Sequence, residues 1–300
     1  MSDQLEEVKC AICGKDETDL YAVGADPWRI VKCRNDGLIY KNPRPTLAGL
    51  RAVQMQIVPT TNPDWYTYRQ TVMAKQARVM ETLRRGGNLL DVGCATGAFF
   101  ESFAPGKWHF FGVDISPVGL ETARKKYHAE VFCGTLREAQ FPSGFFDLVT
   151  VMDCLYYFPD PHLELAEIWR ILKNDGLLAV EIPGLGAYRL NEKGLLCRLL
   201  HGKWVRGFLS TPARTYFFSP RAIRLMLNRV GFQVVNMSIY RGLDMGRRGW
   251  VQALHGAEFA LATLLFNATG GRVSMGGREL YLAMKTPSAP GVAEWATKAK

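Results

Sequence analysis

The sequence predicts an α/β protein built on a mostly parallel sheet. Three observations predict it. Short apolar segments of strand length alternate with segments of helical periodicity through the central part of the chain. A glycine-bearing turn, Gly93 to Gly97, follows the first of these strands. Two helix starts pair a capping residue with proline, at Asp160-Pro161 and Ser219-Pro220, and each helix has a glycine beyond its end, Gly176 and Gly231.

Residues 1–45 form a short, Cys-bearing leader that ends in Asn42-Pro43-Arg44-Pro45, a stop before the main domain of 46–286. Val72, Met73, Val79, Met80 and Leu83 recur at helical spacing, and Gly86-Gly87 ends that helix. Strands are expected at 88–92, 110–113, 130–133, 147–152, 177–182, 232–235 and 280–284, seven in all. Between the fourth and fifth, Leu165, Ile168, Trp169 and Leu172 share one helical face. Between the fifth and sixth, Ile223, Met226, Leu227 and Val230 share another. Segments 184–215 and 240–277 exceed ordinary connections and read as insertions or lids. Residues 287–300 read as a frayed tail.

Among 300 residues, 48% are apolar and 22% charged, which excludes disorder, collagen and coiled coil. The most apolar stretch, 259–266, falls well short of the ~20 residues a membrane span needs. The first nine residues hold three acids and no apolar run, so no secretory signal is expected. Seven cysteines without such a signal imply a reducing, cytoplasmic setting. The net charge of +9 is concentrated: 189–250 holds twelve Arg or Lys against Glu192 and Asp244. That span is either a solvated surface or a face for an anionic partner.

Leu89-Leu90-Asp91-Val92-Gly93-Cys94-Ala95-Thr96-Gly97 runs from a strand into a turn. It lacks the third glycine of a dinucleotide fingerprint and the Gly-Lys-Ser/Thr of a P-loop. Asp114 ends the second strand, where a carboxylate can accept hydrogen bonds from both hydroxyls of a ribose. Ligands of open α/β sheets bind beyond the carboxyl ends of the strands, and Asp91, Asp114, Thr135 and Asp153 all belong to that edge.

At these residues the chain resembles the class I S-adenosylmethionine-dependent methyltransferases. The glycine turn is similar to their first motif and 111–117 to their second. Segments 134–147, 151–161 and 170–176 are similar to the later ones, in the same order. The resemblance implies a Rossmann-like, doubly wound, seven-stranded sheet with S-adenosyl-L-methionine as cofactor. It implies that Asp91 and the turn Gly93, Cys94 and Gly97 face the methionine part, that Asp114 holds the ribose and that Ile115 packs on adenine. Thr135 and Leu136 would meet the adenine edge, and Asp153 and Cys154 the methyl-transfer side. Two positions depart from the pattern. Ala95 replaces the middle glycine, and Thr135 stands where many relatives carry an acid. Tyr156-Tyr157 replaces a Glu-His pair found in many relatives. Phenols stay protonated at neutral pH, so these tyrosines are expected to position an acceptor beside Asp153 or to pack the core, not to act as bases. His162, in the first turn of a helix, reads as a capping or exposed residue. No general base is identified.

In the leader, Cys10 and Cys13 form a knuckle closed by Gly14, and Cys33 and Asp36 mirror it with Gly37. Three thiolates and a carboxylate can hold one tetrahedral structural zinc. The alternative is a metal-free module packed on Trp28, Ile30 and Tyr40. Segment 33–45 resembles the zinc-ribbon leader of one bacterial methyltransferase branch, in which Cys usually stands at position 36. Cys94, Cys133, Cys154 and Cys197 are expected to be buried or incidental.

The expected function is methyl transfer to O, C or N of a small-molecule or lipid-linked acceptor. Amphipathic segments around Leu195, Leu196, Leu199 and Leu200, and from Trp250 to Leu265, either pack on the domain or make peripheral contact with the inner membrane face. The first alternative is RNA methylation by the basic span with Trp204, Phe208, Tyr216 and Phe217. The second is a non-catalytic cofactor-binding scaffold. The sequence does not fix an oligomeric state.

Overall fold

The computed structural model describes residues 5–23, 29–54, 63–185, 214–240, 250–275 and 277–286. Most of insertion 184–215, residues 241–249 of the second insertion, Trp28, Cys197 and the tail 287–300 lie outside the described residues, as does most of the basic span.

Seven strands form the main sheet: β6 (Gly87–Val92), β7 (Trp108–Asp114), β8 (Glu130–Cys133), β9 (Phe146–Met152), β10 (Leu172–Pro183), β12 (Phe232–Tyr240) and β13 (Arg278–Lys285). Their spatial order is β12-β13-β10-β9-β6-β7-β8. The chain runs outward from β6 through β7 to β8, then crosses back to β9 and β10. These five are parallel, while β13 is antiparallel to β10 and to β12. The reversal between β6 and β9 is a topological switch point, where open α/β sheets bind ligands.

Adjacent residues alternate between two cores, as strand geometry requires. Leu89, Leu148, Leu177 and Leu280 pack on one face with Ala77 and Met80 of α2 (Pro63–Leu83) and Ala123 of α3 (Leu120–Tyr127). Leu90, Val149, Leu178 and Tyr281 pack on the other with α4 (Pro161–Ile171) and α5, the helix Pro220–Val230. Burial on both faces is why these strands read as apolar runs.

Several elements differ from expectation in detail. A short 3-10 helix, Ala98–Ser102, follows Gly97. Helix α4 stops at Ile171, so Leu172 opens β10, with Gly176 inside that strand. Asp160 lies at the N-terminus of α4 but makes no capping hydrogen bond, because its carboxylate takes the Arg44 guanidinium at 3.1 Å. Ser219 does cap α5, accepting from the Ala222 N–H at 3.2 Å. In the second insertion, α6 (Trp250–Ala268) turns Ala262 and Phe266 inward but leaves Leu261 and Leu264 exposed, so the expected leucine stripe is not the packed face. No helix among the described residues is long and apolar enough to cross a membrane.

The leader contributes β1 (Leu5–Glu6), β2 (Thr18–Val23), β3 (Arg29–Cys33), β4 (Ile39–Lys41) and β5 (Arg44–Pro45), followed by α1 (Leu47–Gln54). Strands β2, β3 and β4 make an antiparallel sheet, completed by β11 (Tyr216–Phe217) from far downstream. Lys41 N–H donates to Thr215 O at 2.9 Å, and Thr215 N–H donates to Tyr156 O at 3.0 Å. The leader is thus hydrogen-bonded, through one intervening residue, to the loop after β9.

Candidate functional site

A cavity of about 250 Å³ opens at the carboxyl ends of β6, β7, β8 and β9. The turn after β6 is shaped by glycine. Gly93 and Gly97 have φ of +80° and +72°, and a Cβ on either would lie 2.9 Å from a neighbouring side chain, Cys154 Sγ or Ala123 Cβ. Ala95 adopts a left-handed φ of +47° between them, which aims its N–H at Asp114 Oδ2, 3.0 Å away. The other Asp114 oxygen accepts the Ser116 N–H at 2.8 Å. Two backbone donors fix the carboxylate, and each oxygen keeps a lone pair for a ligand. Burial still raises the Asp114 pKa above the usual carboxylate range, and the two N–H groups oppose the rise.

Of the residues singled out in the sequence, Gly93, Asp114, Ile115, Thr135, Leu136, Asp153, Cys154 and Tyr157 line this cavity. Asp91, Cys94, Gly97 and Tyr156 are not among its lining. Asp91 is buried at the end of β6, and Thr150 Oγ1 donates to its Oδ1 at 2.6 Å. Burial pushes its carboxyl up to about 7. Cys94 is buried and stands where a Cβ on Gly112 would collide with its sulfur. Cys133 is exposed, and Cys154 Sγ donates to Val92 O at 2.9 Å. Thr135 is engaged locally: its N–H donates to Glu138 Oε2 at 2.7 Å, and its Oγ1 accepts the Glu138 N–H at 3.3 Å. His162 lies away from the cavity, against Ala11 and Ile12, and burial lowers its pKa.

The opposite end of the cavity is a buried charge network. Asp153 adopts φ +64°, and its N–H is held by Glu181 O at 3.0 Å. Its carboxylate pairs with Arg278 and accepts the Tyr156 hydroxyl at 2.5 Å. Glu181, fully buried on β10, accepts from Arg69 of α2 at 2.7 Å, from Arg278 at 2.6 Å and from Gln76. Burial alone would raise both carboxyls. Arg278 and Arg69 outweigh it and hold Asp153 and Glu181 below the usual range. Tyr156 is buried with the Arg214 guanidinium 4.1 Å from its ring centre, and burial pushes its phenol well above the ordinary value. It orients Asp153, while Tyr157 faces the cavity.

Sequence reading missed Arg69, Glu181, Arg278 and Glu164, as well as Leu47 and Leu50, which wall the cavity from α1. Two signals were present. One was a lone acid, Glu181, inside the apolar fifth strand; the other was a threonine, Thr46, before α1, where it accepts the Gly49 N–H.

A family described as Methyltransferase domain matches residues 65–237, more than half of the chain. The chain belongs to the class I S-adenosylmethionine-dependent methyltransferase family. A demethylmenaquinone methyltransferase of Listeria welshimeri is 32% identical over 115 residues, covering 35% of this methyltransferase-family chain and 48% of that protein. A ubiquinone biosynthesis O-methyltransferase of Psychrobacter arcticus is 26% identical over 171 residues, covering 54% and 65%. The chain thus spans about half to two thirds of the length of these relatives. The fold is also that of the PH0226 protein of Pyrococcus horikoshii, with a TM-score of 0.51 at 16% identity over 78% of this chain and 99% of that one.

The cavity fits the family's cofactor in chemistry. Asp114 offers lone pairs to vicinal hydroxyls, Ile115 and Leu136 offer apolar surface to a flat heterocycle, and Asp153 offers an anion near the opposite end.

In the leader, Cys10, Cys13, Cys33 and Asp36 bring one ligand atom each to within 4.8 Å of one another. Cys10 Sγ lies 3.2 Å from Asp36 Oδ2, and Cys13 Sγ lies 3.5 Å from Cys33 Sγ. Those spacings suit the edges of a zinc tetrahedron with metal–ligand distances of about 2.0–2.3 Å. Gly14 N–H donates to Cys10 O and Gly37 N–H to Cys33 O, closing the two knuckles.

Proposed function

We propose that this protein transfers a methyl group from S-adenosylmethionine to a small-molecule acceptor, with a lipid-linked ring as the favoured class. The observation that carries the reading is the cavity itself, with the backbone-fixed Asp114 toward one end and the Arg-held Asp153 beside Tyr157 toward the other. The cofactor supplies an activated methyl on a sulfonium whose sulfur is its own leaving group. Asp114 binds the ribose hydroxyls, and Ile115 and Leu136 enclose the adenine. Asp153, kept ionised by Arg278 and Arg69, accepts the cofactor's ammonium. Tyr157 walls the acceptor side. The relatives named for menaquinone and ubiquinone methylation support a quinol-like ring. Cys10, Cys13, Cys33 and Asp36 hold a structural zinc that stabilises the leader.

The test is calorimetric binding of S-adenosylhomocysteine, followed by incubation with methyl-labelled cofactor and host-cell extract and by phase separation. Asp114→Ala is expected to weaken binding by more than tenfold, and label is expected in the organic phase. Unchanged affinity in that variant would remove the cofactor assignment. Label confined to RNA would overturn the acceptor class.

A further inference from the structure

One ionisable group in the cavity has no part in the chemistry above. Glu164 sits in the first turn of α4, where an acid favours the helix terminus and ordinarily points to water. Here the partly buried residue lines the cavity instead, whose wall also holds the apolar Leu50, Leu136, Phe158 and Pro159. Among the described residues no side-chain hydrogen bond or ion pair satisfies its carboxyl. An acceptor turned into an apolar slot without a donor is costly unless a ligand supplies one.

The surroundings of Glu164 say which part of the ligand that is. The strongest charges acting on it include Arg137 and Glu138, which directly follow Leu136, together with Glu167 and Asp160 of its own helix region. Glu164 therefore lines the cavity within reach of the charges that follow Leu136, the residue assigned above to the adenine side. Near Leu136, Thr135 Oγ1 already accepts the Glu138 N–H, and Glu138 is bound in turn by Arg51 of α1 at 2.9 Å, so both side chains are held in local contacts.

We infer that Glu164 is the specificity residue for the adenine ring: its carboxyl accepts a hydrogen bond from the exocyclic amine. The inference rests on the S-adenosylmethionine reading. Burial pushes the carboxyl up to about 7, with Glu167, Asp160 and Glu138 adding to the rise and Arg137 opposing it. Either protonation state retains an accepting oxygen. Leu47 and Leu50 of α1 cover the same slot, and the Arg51–Glu138 pair holds that helix down.

The experiment compares two ligands on the intact protein by calorimetry: S-adenosylhomocysteine, and its 6-deamino analogue, which lacks only the amine. Wild type should prefer the adenosyl ligand by about tenfold or more, because a site built around a donor rejects the ligand without it. Glu164→Leu should lower that ratio to about one by weakening the adenosyl ligand alone, and Glu164→Gln, which keeps a carbonyl acceptor, should fall between. A wild-type ratio near one, or a ratio unchanged in Glu164→Leu, overturns the inference. Binding unchanged with turnover lost also overturns it, since that result would make Glu164 a catalytic base. Should leucine block the slot for both ligands, the ratio on Glu164→Ala decides by the same rule. Failure of wild type to bind S-adenosylhomocysteine at all would instead sink the cofactor reading, so the two failures are distinguishable.

Discussion

Replacing Glu181 by Gln should cost the protein about 3 kcal/mol of stability at neutral pH. Glu181 is fully buried and serves two guanidinium groups, Arg69 and Arg278. Arg278 keeps a second carboxylate in Asp153, so the neutral Gln leaves Arg69 as the under-compensated cation. Removing one partner of a buried pair costs about 3–5 kcal/mol, and the low end applies because the amide carbonyl still accepts one hydrogen bond. For a domain of this size that corresponds to a fall in Tm of roughly 6–12 °C. The pH dependence has a definite sign. The folded-state pKa of Glu181 is depressed, so its contribution is fully present above the unfolded value of about 4.3 and is lost as pH falls through the lower folded value. Urea unfolding at pH 7 should therefore show the full difference between wild type and Glu181→Gln, and unfolding below pH 4 a smaller one. Adding Arg69→Met to the Gln variant should restore part of the loss, since it removes the stranded charge. A loss under 1 kcal/mol at pH 7, or an additive double variant, would refute the reasoning.

Two further outcomes follow from other buried groups. Asp91, held near 7 by burial, binds a proton in the folded state that it releases when unfolded between about pH 4 and 7. Its ionisation therefore opposes folding as pH rises through that window, and Asp91→Asn, which keeps an acceptor for Thr150, should gain stability relative to wild type by roughly 2–3 kcal/mol between pH 5 and pH 8. A difference that does not change with pH would refute it. Elemental analysis of the purified protein should find one zinc per chain, lost in Cys13→Ser with a lowered Tm. Metal-free wild type with unchanged stability would remove the site.

Much of the sheet was legible because its strands are buried on both faces and are broken by turn residues, so apolar runs alone marked them. Motif order then carried Asp114 and Asp153 to one edge. What stayed hidden was whatever depends on pairing across long separations. Glu181 reads as an anomaly in an apolar strand until Arg69, 112 positions earlier, and Arg278, 97 positions later, are brought against it. Asp160 carries every local mark of a helix cap, yet Arg44 of the leader takes its carboxylate. Thr135 lines the cavity, yet the glutamate three residues on that takes its N–H carries no mark in the local pattern.

The leader shows the same principle at larger scale. Cys10, Cys13, Cys33 and Asp36 are spaced as a self-contained metal module, and local spacing describes them well. Yet the sheet they anchor takes its outer strand, Tyr216–Phe217, from beyond β10, and Arg44 reaches the Tyr216 hydroxyl. Tyr216 in turn donates to Pro159 O at 2.8 Å, and Pro159 lines the cavity. Thr215, one residue before that strand, binds the backbone of Tyr156, whose hydroxyl fixes Asp153. Two short paths therefore lead from the leader sheet to the cavity, one to Asp153 and one to Pro159 in its wall. Disordering the leader should loosen the Asp153 end and the Pro159 wall together, so metal loss and weakened cofactor binding should appear at the same chelator concentration.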